Sequence, residues 1–258
     1  MAEIFFLGTG GSVATKERDN TSLLVSNDEA LILIDCPGSV IQKIKKLGFD
    51  PRCLTSILVT HVHPDHIYGL PSLIHSLMLD ECRIDLYGSE ETIVFCQRLL
   101  DLFHLREEKI KTKINFMSLK NGQDLSLASS LQATALKVPH HSSSLAFYFD
   151  FGRENKKLMY SGDTPLYTSL FDQAIDLDYL IHDCSTPSRF FKEYPYLYEM
   201  HTNSLQLGKL CHEAQVRCLI SCHFFGELDF SLVEIEKEIR QNYKGELILP
   251  RDFQKINI

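Results

Sequence analysis

The chain reads His61-Val62-His63-Pro64-Asp65-His66 directly after a short apolar run, and four of these six side chains can bind a metal ion. The preceding residues, 54–60, have the β-branched, apolar character of a buried parallel strand. Apolar residues at helical spacing follow over 67–79, so the stretch lies on a strand-to-helix turn, where open α/β sheets commonly bind ligands. His61 and His63 lie two positions apart and would point the same way in an extended chain, so one ion can bind both. The stretch predicts a metal site in an α/β fold.

The composition is that of an ordinary globular protein, with 258 residues, 44% of them hydrophobic and 23% charged. The formal net charge of −8 argues against nonspecific attraction to a nucleic-acid backbone over the whole surface. No apolar run approaches the length that a bilayer requires, so we expect no membrane partner. The sequence starts at Met1 without a secretory pattern, and its eight cysteines form no CxxC pair. We therefore expect a cytoplasmic protein with reduced thiols and a single domain over residues 1–258.

Strand-like and helix-like segments interleave along the chain, without a linker, repeat or low-complexity segment. Strands are predicted at 4–7, 21–25, 31–35, 54–60, 84–87, 114–119, 131–138, 145–151, 157–161, 179–182, 216–222 and 247–249. Helices are predicted at 40–47, 67–79, 92–103, 204–213 and 232–240. This alternation predicts an α/β fold, in which two mixed sheets are enclosed by outer helices as a four-layer αβ/βα sandwich.

Metal-binding side chains also follow three later strand-like runs, and these are His140 with His141, Asp163, and His223. A polar residue that merely ends a strand explains each of them taken alone. Their recurrence favours a shared edge of the sheets, where ligand sites of α/β folds commonly lie. Asp65 and His66 start the turn and could bind a second ion. Because one cluster supplies too few ligands for two ions, we expect the side chains after the later runs to complete the site.

The chain resembles the metallo-β-lactamase superfamily and, within it, enzymes of the ribonuclease Z type. The matching motifs keep the family's order along nearly the whole chain: Phe6-Leu7-Gly8-Thr9-Gly10-Gly11 with Lys16-Glu17-Arg18, the cluster at 61–66 with its continuation Ile67-Tyr68-Gly69-Leu70-Pro71, Ser161-Gly162-Asp163-Thr164, His201-Thr202-Asn203 and Ser221-Cys222-His223-Phe224. The cluster is typical of the whole superfamily, and the continuation and the late histidines are typical of its ribonuclease Z-type enzymes. The resemblance implies a metallo-β-lactamase fold, a metal-dependent hydrolase and a homodimer.

The resemblance also implies two divalent metal ions. The first ion would bind His61, His63 and His140, the second would bind Asp65, His66 and His223, and Asp163 would bridge them. The family's spacing from Val138-Pro139-His140 to the pair Ala146-Phe147 favours His140 as the third ligand, and His141 stays the alternative. Histidine and carboxylate ligands suit zinc, although manganese or iron would fit the same set.

Two such ions allow hydrolysis, because they can share a hydroxide that attacks phosphorus or a carbonyl carbon. Asp65 could bind metal and accept the proton of the water. In the resembling family a late histidine, supported by an acidic residue, protonates the leaving oxygen, and the matching residues here are His201 and Asp183. A carboxylate against an imidazole favours the protonated ring. The alternative is that His201 only caps a helix that begins near Thr202.

The sequence determines the substrate less closely than the chemistry. Lys16 and Arg18 lie in the turn after the first strand and could bind a substrate phosphate, and solvated loop charges are the alternative. Ribonuclease Z enzymes carry an arm that grips tRNA between the third metal histidine and the bridging aspartate. Here only two strands and the turn 152–156 join His140 to Asp163, which leaves no room for that arm. The family's glutamate is also replaced by an aspartate, one methylene shorter, at 183.

These residues together predict a dinuclear metal-dependent hydrolase that cleaves a phosphodiester, with RNA 3′ ends and smaller molecules both open as substrates. A thioester or lactone hydrolase on the same fold is the first alternative. A metal-binding sensor without turnover is the second, and a full ligand set with a candidate acid argues against it.

Overall fold

The computed structural model describes residues 1–173 and 177–258, and these residues form two stacked sheets of seven strands each. In spatial order the first sheet consists of β14 (Lys255–Asn257), β1 (Glu3–Gly8), β2 (Ser22–Ser26), β3 (Leu31–Ile34), β4 (Ser56–Leu58), β5 (Arg83–Ser89) and β6 (Lys113–Leu119). The second sheet consists of β13 (Glu246–Ile248), β12 (Cys218–Cys222), β11 (Tyr179–Asp183), β10 (Lys156–Tyr160), β9 (Leu145–Phe151), β8 (Leu131–Lys137) and β7 (Gln123–Ala128).

Both sheets contain parallel and antiparallel pairs. In the first sheet β3 to β6 run parallel, and the pairs among β14, β1, β2 and β3 are antiparallel. In the second sheet β10 to β13 run parallel, and the pairs among β7 to β10 are antiparallel. Parallel neighbours need crossover connections, which explains why helices are interspersed with these strands. The predicted α/β sandwich of two mixed sheets is confirmed.

Helices cover the outer face of each sheet and complete four layers. In chain order they are α1 (Val40–Lys46), α2 (Pro64–Ile67), α3 (Leu70–Ser76), α4 (Glu90–Leu102), α5 (Ser188–Glu193), α6 (Ser204–Glu213) and α7 (Leu232–Ile239). Helices α1, α3 and α4 pack on the first sheet through one buried apolar cluster, and α6 and α7 pack on the second sheet through another. Within the described ranges, none of the helices has the length and apolar character needed to cross a bilayer.

A third apolar cluster fills the space between the sheets, and β9 shows how the sequence builds it. Leu145, Phe147, Phe149 and Phe151 alternate along this strand, and each is at most 3% exposed. Because successive side chains of a strand point to opposite faces, all four point to the same side, where they join Phe6 of the first sheet. Fully burying such a side chain contributes roughly 1.5–3 kcal/mol. This core holds the two sheets together and thereby positions the strand ends that carry the site.

The helix predicted over 67–79 is interrupted between α2 and α3. The amide of Gly69 donates to the carbonyl oxygen of Cys36 at 2.9 Å instead of continuing the helix. A Cβ at position 69 would collide with the carbonyl oxygen of Pro37, so only glycine permits this close approach. The amide of Cys36 in turn donates to the carbonyl oxygen of His66 at 2.7 Å. The loop after β3 therefore holds the turn that carries the histidine cluster.

Two strands that the sequence does not predict, β7 and β14, lie at edges of the sheets. Strand β7 exposes three of its six side chains and lacks the apolar character of the predicted strands. Strand β14 has three residues, too few to show a periodicity, and it forms through antiparallel pairing with β1. Both strands thus depend on pairing with a neighbour that the local sequence does not reveal.

Candidate metal centre

The candidate ligands meet where strands of both sheets end. The cluster at 61–66 follows β4 of the first sheet, and His140, Asp163 and His223 follow β8, β10 and β12 of the second. Strand ends are the usual place for ligands in α/β folds, since several loops converge there. The structure brings all seven side chains predicted as ligands into two groups at this edge.

The first group consists of the imidazoles of His61, His63 and His140. The Nδ1 atom of His63 lies 3.0 Å from Nε2 of His61 and 3.2 Å from Nε2 of His140. Nitrogens about 2.0–2.1 Å from a tetrahedral zinc ion are about 3.3 Å apart, so this spacing matches ligands of one ion. Burial lowers the pKa of all three rings, which keeps them neutral and their lone pairs available to a metal.

The second group consists of Asp65, His66, Asp163 and His223, all of them buried. The Oδ2 atom of Asp163 lies 3.3 Å from Nε2 of His66 and 3.2 Å from Nε2 of His223. The Oδ2 atom of Asp65 lies 3.4 and 3.5 Å from the same two nitrogens. Two carboxylate oxygens and two imidazole nitrogens thus come together, a donor set that suits a divalent cation of intermediate softness.

Asp163 lies between the two groups. Its Oδ2 atom is 3.8 Å from Nε2 of His61 and 3.8 Å from Nε2 of His140, which both belong to the first group. Burial by itself raises the pKa of Asp163, but the imidazoles of His223 and His66 outweigh burial and hold that pKa well below its usual range. An ionised oxygen within reach of both groups is what a bridging ligand requires.

Two buried nitrogens of the second group, Nε2 of His66 and Nε2 of His223, have no hydrogen-bond partner among the described residues. An unpaired buried polar atom costs about 1–3 kcal/mol, so such atoms usually have a partner. Burial by itself lowers the pKa of both rings, but the surrounding carboxylates, with Asp163 the largest contributor, outweigh burial. The pKa of His66 is therefore raised well above its usual value, and that of His223 is raised to about 9. Both nitrogens therefore attract positive charge, and the residues present fit a bound divalent cation.

Groups outside the ligand sets orient the ligand rings. The hydroxyl of Thr60 lies 3.0 Å from Nδ1 of His61. The carbonyl oxygen of Met200 lies 2.7 Å from Nδ1 of His140 and can accept a hydrogen bond from it. Such outer partners hold each ring with its other nitrogen toward the metal and increase its basicity.

Asp35 is the outer partner of His66, and no motif in the sequence marks it. Its Oδ2 atom lies 2.9 Å from Nδ1 of His66, and its Oδ1 atom accepts from the amide and the hydroxyl of Thr60 at 2.8 and 3.0 Å. Asp35 has a φ of 61° and His223 a φ of 64°, a left-handed conformation that is strained in non-glycine residues and concentrates at functional sites. The available signal is a carboxylate directly after the buried strand β3, as with the predicted ligands.

His201 and Asp183 form a buried pair beside the ligands. Nδ1 of His201 lies 2.8 Å from Oδ2 of Asp183, so the shorter aspartate side chain reaches the imidazole. A ring nitrogen of His201 also lies within 4.8 Å of donor atoms of His140 and Asp163. The histidine that the family resemblance implies as the proton donor is therefore close to both ligand groups.

Local contacts bear on two alternatives that the sequence leaves open. The side chain of Asn203, and not that of His201, caps helix α6 in a capping box. Among the described residues His140 belongs to the first ligand group, whereas His141 belongs to neither group. Nδ1 of His141 instead lies 2.8 Å from the hydroxyl of Ser143. The geometry thus favours His140 as the ligand and leaves His201 free of a capping role.

The two basic residues predicted to bind phosphate have different surroundings. The guanidinium of Arg18 donates to the hydroxyl of Thr9 and, at 2.7 Å, to the carbonyl oxygen of Pro250. It also lies 4.8 Å from the centre of the Phe224 ring, and burial lowers the pKa of Arg18. Lys16 is exposed on the same loop. Arg18 therefore stabilises the loop itself, while Lys16 is open to a ligand.

Comparisons with known proteins show which families the chain is similar to. A family model described as Anti-Pycsar protein Apyc1 matches residues 2–226. The Apyc1 protein of Bacillus phage vB_BveM-Goe7 is 31% identical over 198 residues, which covers 70% of this chain and 75% of the phage protein. A ribonuclease Z of Methanosarcina acetivorans is 26% identical over 311 residues, which covers 100% of this chain and 98% of that protein.

A solved structure shows the same fold. The metallo-β-lactamase fold protein YhfI from Bacillus subtilis superimposes with a TM-score of 0.82 at 19% identity and covers 100% of both chains. The predicted metallo-β-lactamase fold and the predicted metal-dependent, ribonuclease Z-like hydrolase are confirmed at this level. The chain is a ribonuclease Z-like member of the metallo-β-lactamase superfamily and belongs to the Anti-Pycsar protein Apyc1 family.

Proposed function

We propose that the chain is a dinuclear, zinc-dependent phosphodiesterase of the ribonuclease Z type. The observation that carries this proposal is the carboxylate of Asp163, which lies within 3.8 Å of imidazole nitrogens from both ligand groups. The ligands of the first ion would be His61, His63 and His140, those of the second Asp65, His66 and His223, and Asp163 would be shared. Bound ions would lower the pKa of a water molecule and neutralise negative charge on the phosphate oxygens.

The chain's own residues move the protons. Because Oδ2 of Asp183 pairs with Nδ1 of His201, the proton on Nε2 of the protonated ring is the one that can be given up. During hydrolysis the oxygen of water forms a bond to phosphorus, and the bond from phosphorus to the leaving oxygen breaks. His201 protonates that leaving oxygen, and Asp65 accepts a proton from the attacking water. Asp183 orients the ring through its hydrogen bond to Nδ1.

The short link between His140 and Asp163 favours a compact substrate. This link, all of it described, consists of β9, β10 and the loops around them, and Phe151 pairs with Lys156 where the hairpin closes. Ribonuclease Z-type enzymes carry the tRNA-gripping arm in this link, and the net charge of −8 also disfavours a polyanion. We therefore place a small phosphodiester before RNA 3′ ends as the substrate.

Hydrolysis assays with and without metal test this function. The substrates are bis-p-nitrophenyl phosphate, a precursor tRNA and a panel of thioesters and lactones, each with added zinc and with a chelator. We expect zinc-dependent cleavage of the phosphodiester, its loss in Asp163→Asn, and its retention in Asp124→Asn, which changes an exposed carboxylate on β7. Cleavage of thioesters or lactones alone would support that alternative, and no hydrolysis by metal-replete protein would support a sensor. Either result overturns the proposal.

The proposal extends to assembly and location. Val94 and Phe95 on α4 are each 40% exposed, and adjacent apolar side chains on a surface suit contact with a second copy of the chain. Sedimentation should therefore give a homodimer, weakened in Phe95→Asp.

The cysteines of the described residues are unpaired, which suits the reducing cytoplasm. Strand β14 near residue 258 pairs with β1 near residue 1, as expected for a single domain.

A further inference from the structure

Phe225 places its ring beside two histidines of the candidate metal centre. The ring centre lies 5.0 Å from that of His201 at an interplanar angle of 84°, and 6.0 Å from that of His223 at 68°. The neighbouring Phe224 is buried and joins the apolar cluster outside the second sheet. Phe225 is partly exposed and belongs to none of the three apolar clusters that the described residues form. Its ring therefore remains accessible to a ligand at the site.

Glycine at position 11 lets the ring of Phe225 approach the loop after β1 closely. A Cβ at Gly11 would be 2.9 Å from Cδ1 of Phe225, closer than carbon atoms pack, and 3.5 Å from Cε1 of His223. The amide of Gly11 donates to the carbonyl oxygen of Phe224 at 2.7 Å, which ties the loop after β1 to the segment that carries Phe225. The ring of Phe225 thus packs against the backbone of the loop after β1.

The same loop carries an exposed apolar residue, Val13, whose backbone touches the residue after Phe225. Val13 is 46% exposed, and a Cβ at Gly226 would collide with the carbonyl oxygen of Val13, so the two segments touch. Lys16, farther along the loop, is exposed. A partly exposed aromatic ring, next to a loop with an exposed lysine and beside a centre proposed to hydrolyse phosphodiesters, suits a planar ring attached to a phosphate.

We propose that Phe225 is a specificity residue that stacks on a nucleobase in the half of the phosphodiester that leaves. The inference rests on the proposed function, in which His201 protonates the leaving oxygen. A group carried by that oxygen comes next to His201, and therefore next to the ring that contacts His201. Stacking of one base on an aromatic side chain favours binding by about 5- to 150-fold.

Matched dinucleotides test this proposal on the zinc-replete protein. The substrates are dithymidine phosphodiester and its two analogues in which one or the other thymine is replaced by hydrogen, and the products identify the half that leaves. For the wild type we expect kcat/KM to fall by about 5- to 150-fold when the leaving half lacks its base. The ratio of kcat/KM with the leaving base to kcat/KM without it should approach one in Phe225→Leu and stay at the wild-type value in Phe225→Tyr. It should also persist in Phe103→Leu, which changes an exposed ring after α4.

Four other outcomes would count against the proposal. If the ratio in Phe225→Leu equals that of the wild type, the base does not lie on this ring. If Phe225→Leu slows all three substrates equally, the ring only shields the histidines from water. If the wild type cleaves bis-p-nitrophenyl phosphate but no dinucleotide, the inference is wrong and the proposed function stands. If the wild type cleaves no phosphodiester, the proposed function is wrong and the inference with it.

Discussion

Replacement of Asp35 by asparagine changes the partner of His66 without changing its shape. Oδ2 of Asp35 lies 2.9 Å from Nδ1 of His66, while Oδ1 accepts from the amide of Thr60 at 2.8 Å. One of the two terminal atoms of asparagine is a donor. If the side-chain oxygen of the asparagine keeps the hydrogen bonds from Thr60, the amino group faces Nδ1 of His66. This nitrogen must then accept a hydrogen bond from the amino group. The ring proton would move to Nε2, the atom that lies next to Asp163 and would bind the metal.

The size of the effect follows from this change of tautomer. Loss of an outer partner of a metal-binding histidine typically lowers metal affinity by about 10- to 100-fold, which corresponds to about 1.4–2.8 kcal/mol. For Asp35→Asn we expect a dissociation constant about 10- to 100-fold higher for the second ion.

Competition with a chromophoric chelator measures the dissociation constant of each ion. Asp178→Asn is the control, because Asp178 is also a buried carboxylate and accepts from Lys156 at 3.0 Å. It precedes β11, whereas Asp183 ends that strand, so the control lies away from the candidate site. We expect Asp178→Asn to bind both ions as the wild type does. An Asp35→Asn protein with wild-type affinity for both ions would show that Asp35 does not set the tautomer of His66.

Other changes separate proton transfer, metal binding and folding. His201→Ala should lower kcat by about 10²- to 10⁴-fold with metal content unchanged, because general acid catalysis contributes a factor of that size. Steady-state kinetics with metal analysis measures both quantities, and unchanged turnover would contradict the role of His201 as the proton donor. His140→Ala should lose the first ion on dialysis and His141→Ala should keep it, as metal analysis will show; the opposite result would make His141 the ligand. Removal of zinc should lower the melting temperature in calorimetry, since an ion at 100 times its dissociation constant stabilises the folded protein by about 2.7 kcal/mol. Equal melting temperatures with and without zinc would argue against a metal site. Phe149→Ala should lower the free energy of unfolding in denaturant by about 3–5 kcal/mol, and a negligible loss would contradict its place in the core.

The ligand positions could be predicted because each follows a buried strand whose apolar run is visible in the sequence. The turn after β4 concentrates four donors, and His140, Asp163 and His223 follow runs of the same character. Strand ends in α/β folds converge on one edge, so local patterns were enough to predict that these residues meet. The division into two groups rested on the family resemblance, and the distances are consistent with it.

Contacts between distant segments could not be predicted from local patterns. Arg18 bonds to the carbonyl oxygen of Pro250, 232 positions away, and nothing near Arg18 in sequence indicates that partner. Asp35 looks like the last residue of a strand until His66 is seen beside it. The interruption between α2 and α3 depends on a hydrogen bond from Gly69 to another loop, which helical periodicity does not register.

The proposed function depends on a carboxylate of Asp163 that joins two metal ions. Anomalous diffraction from crystals of the zinc-reconstituted protein would locate these ions. We predict two zinc peaks in each chain, one beside His61 and His140 and one beside His66 and His223, with the Asp163 carboxylate between them. A single peak, or two peaks of which neither contacts Asp163, would contradict the claim.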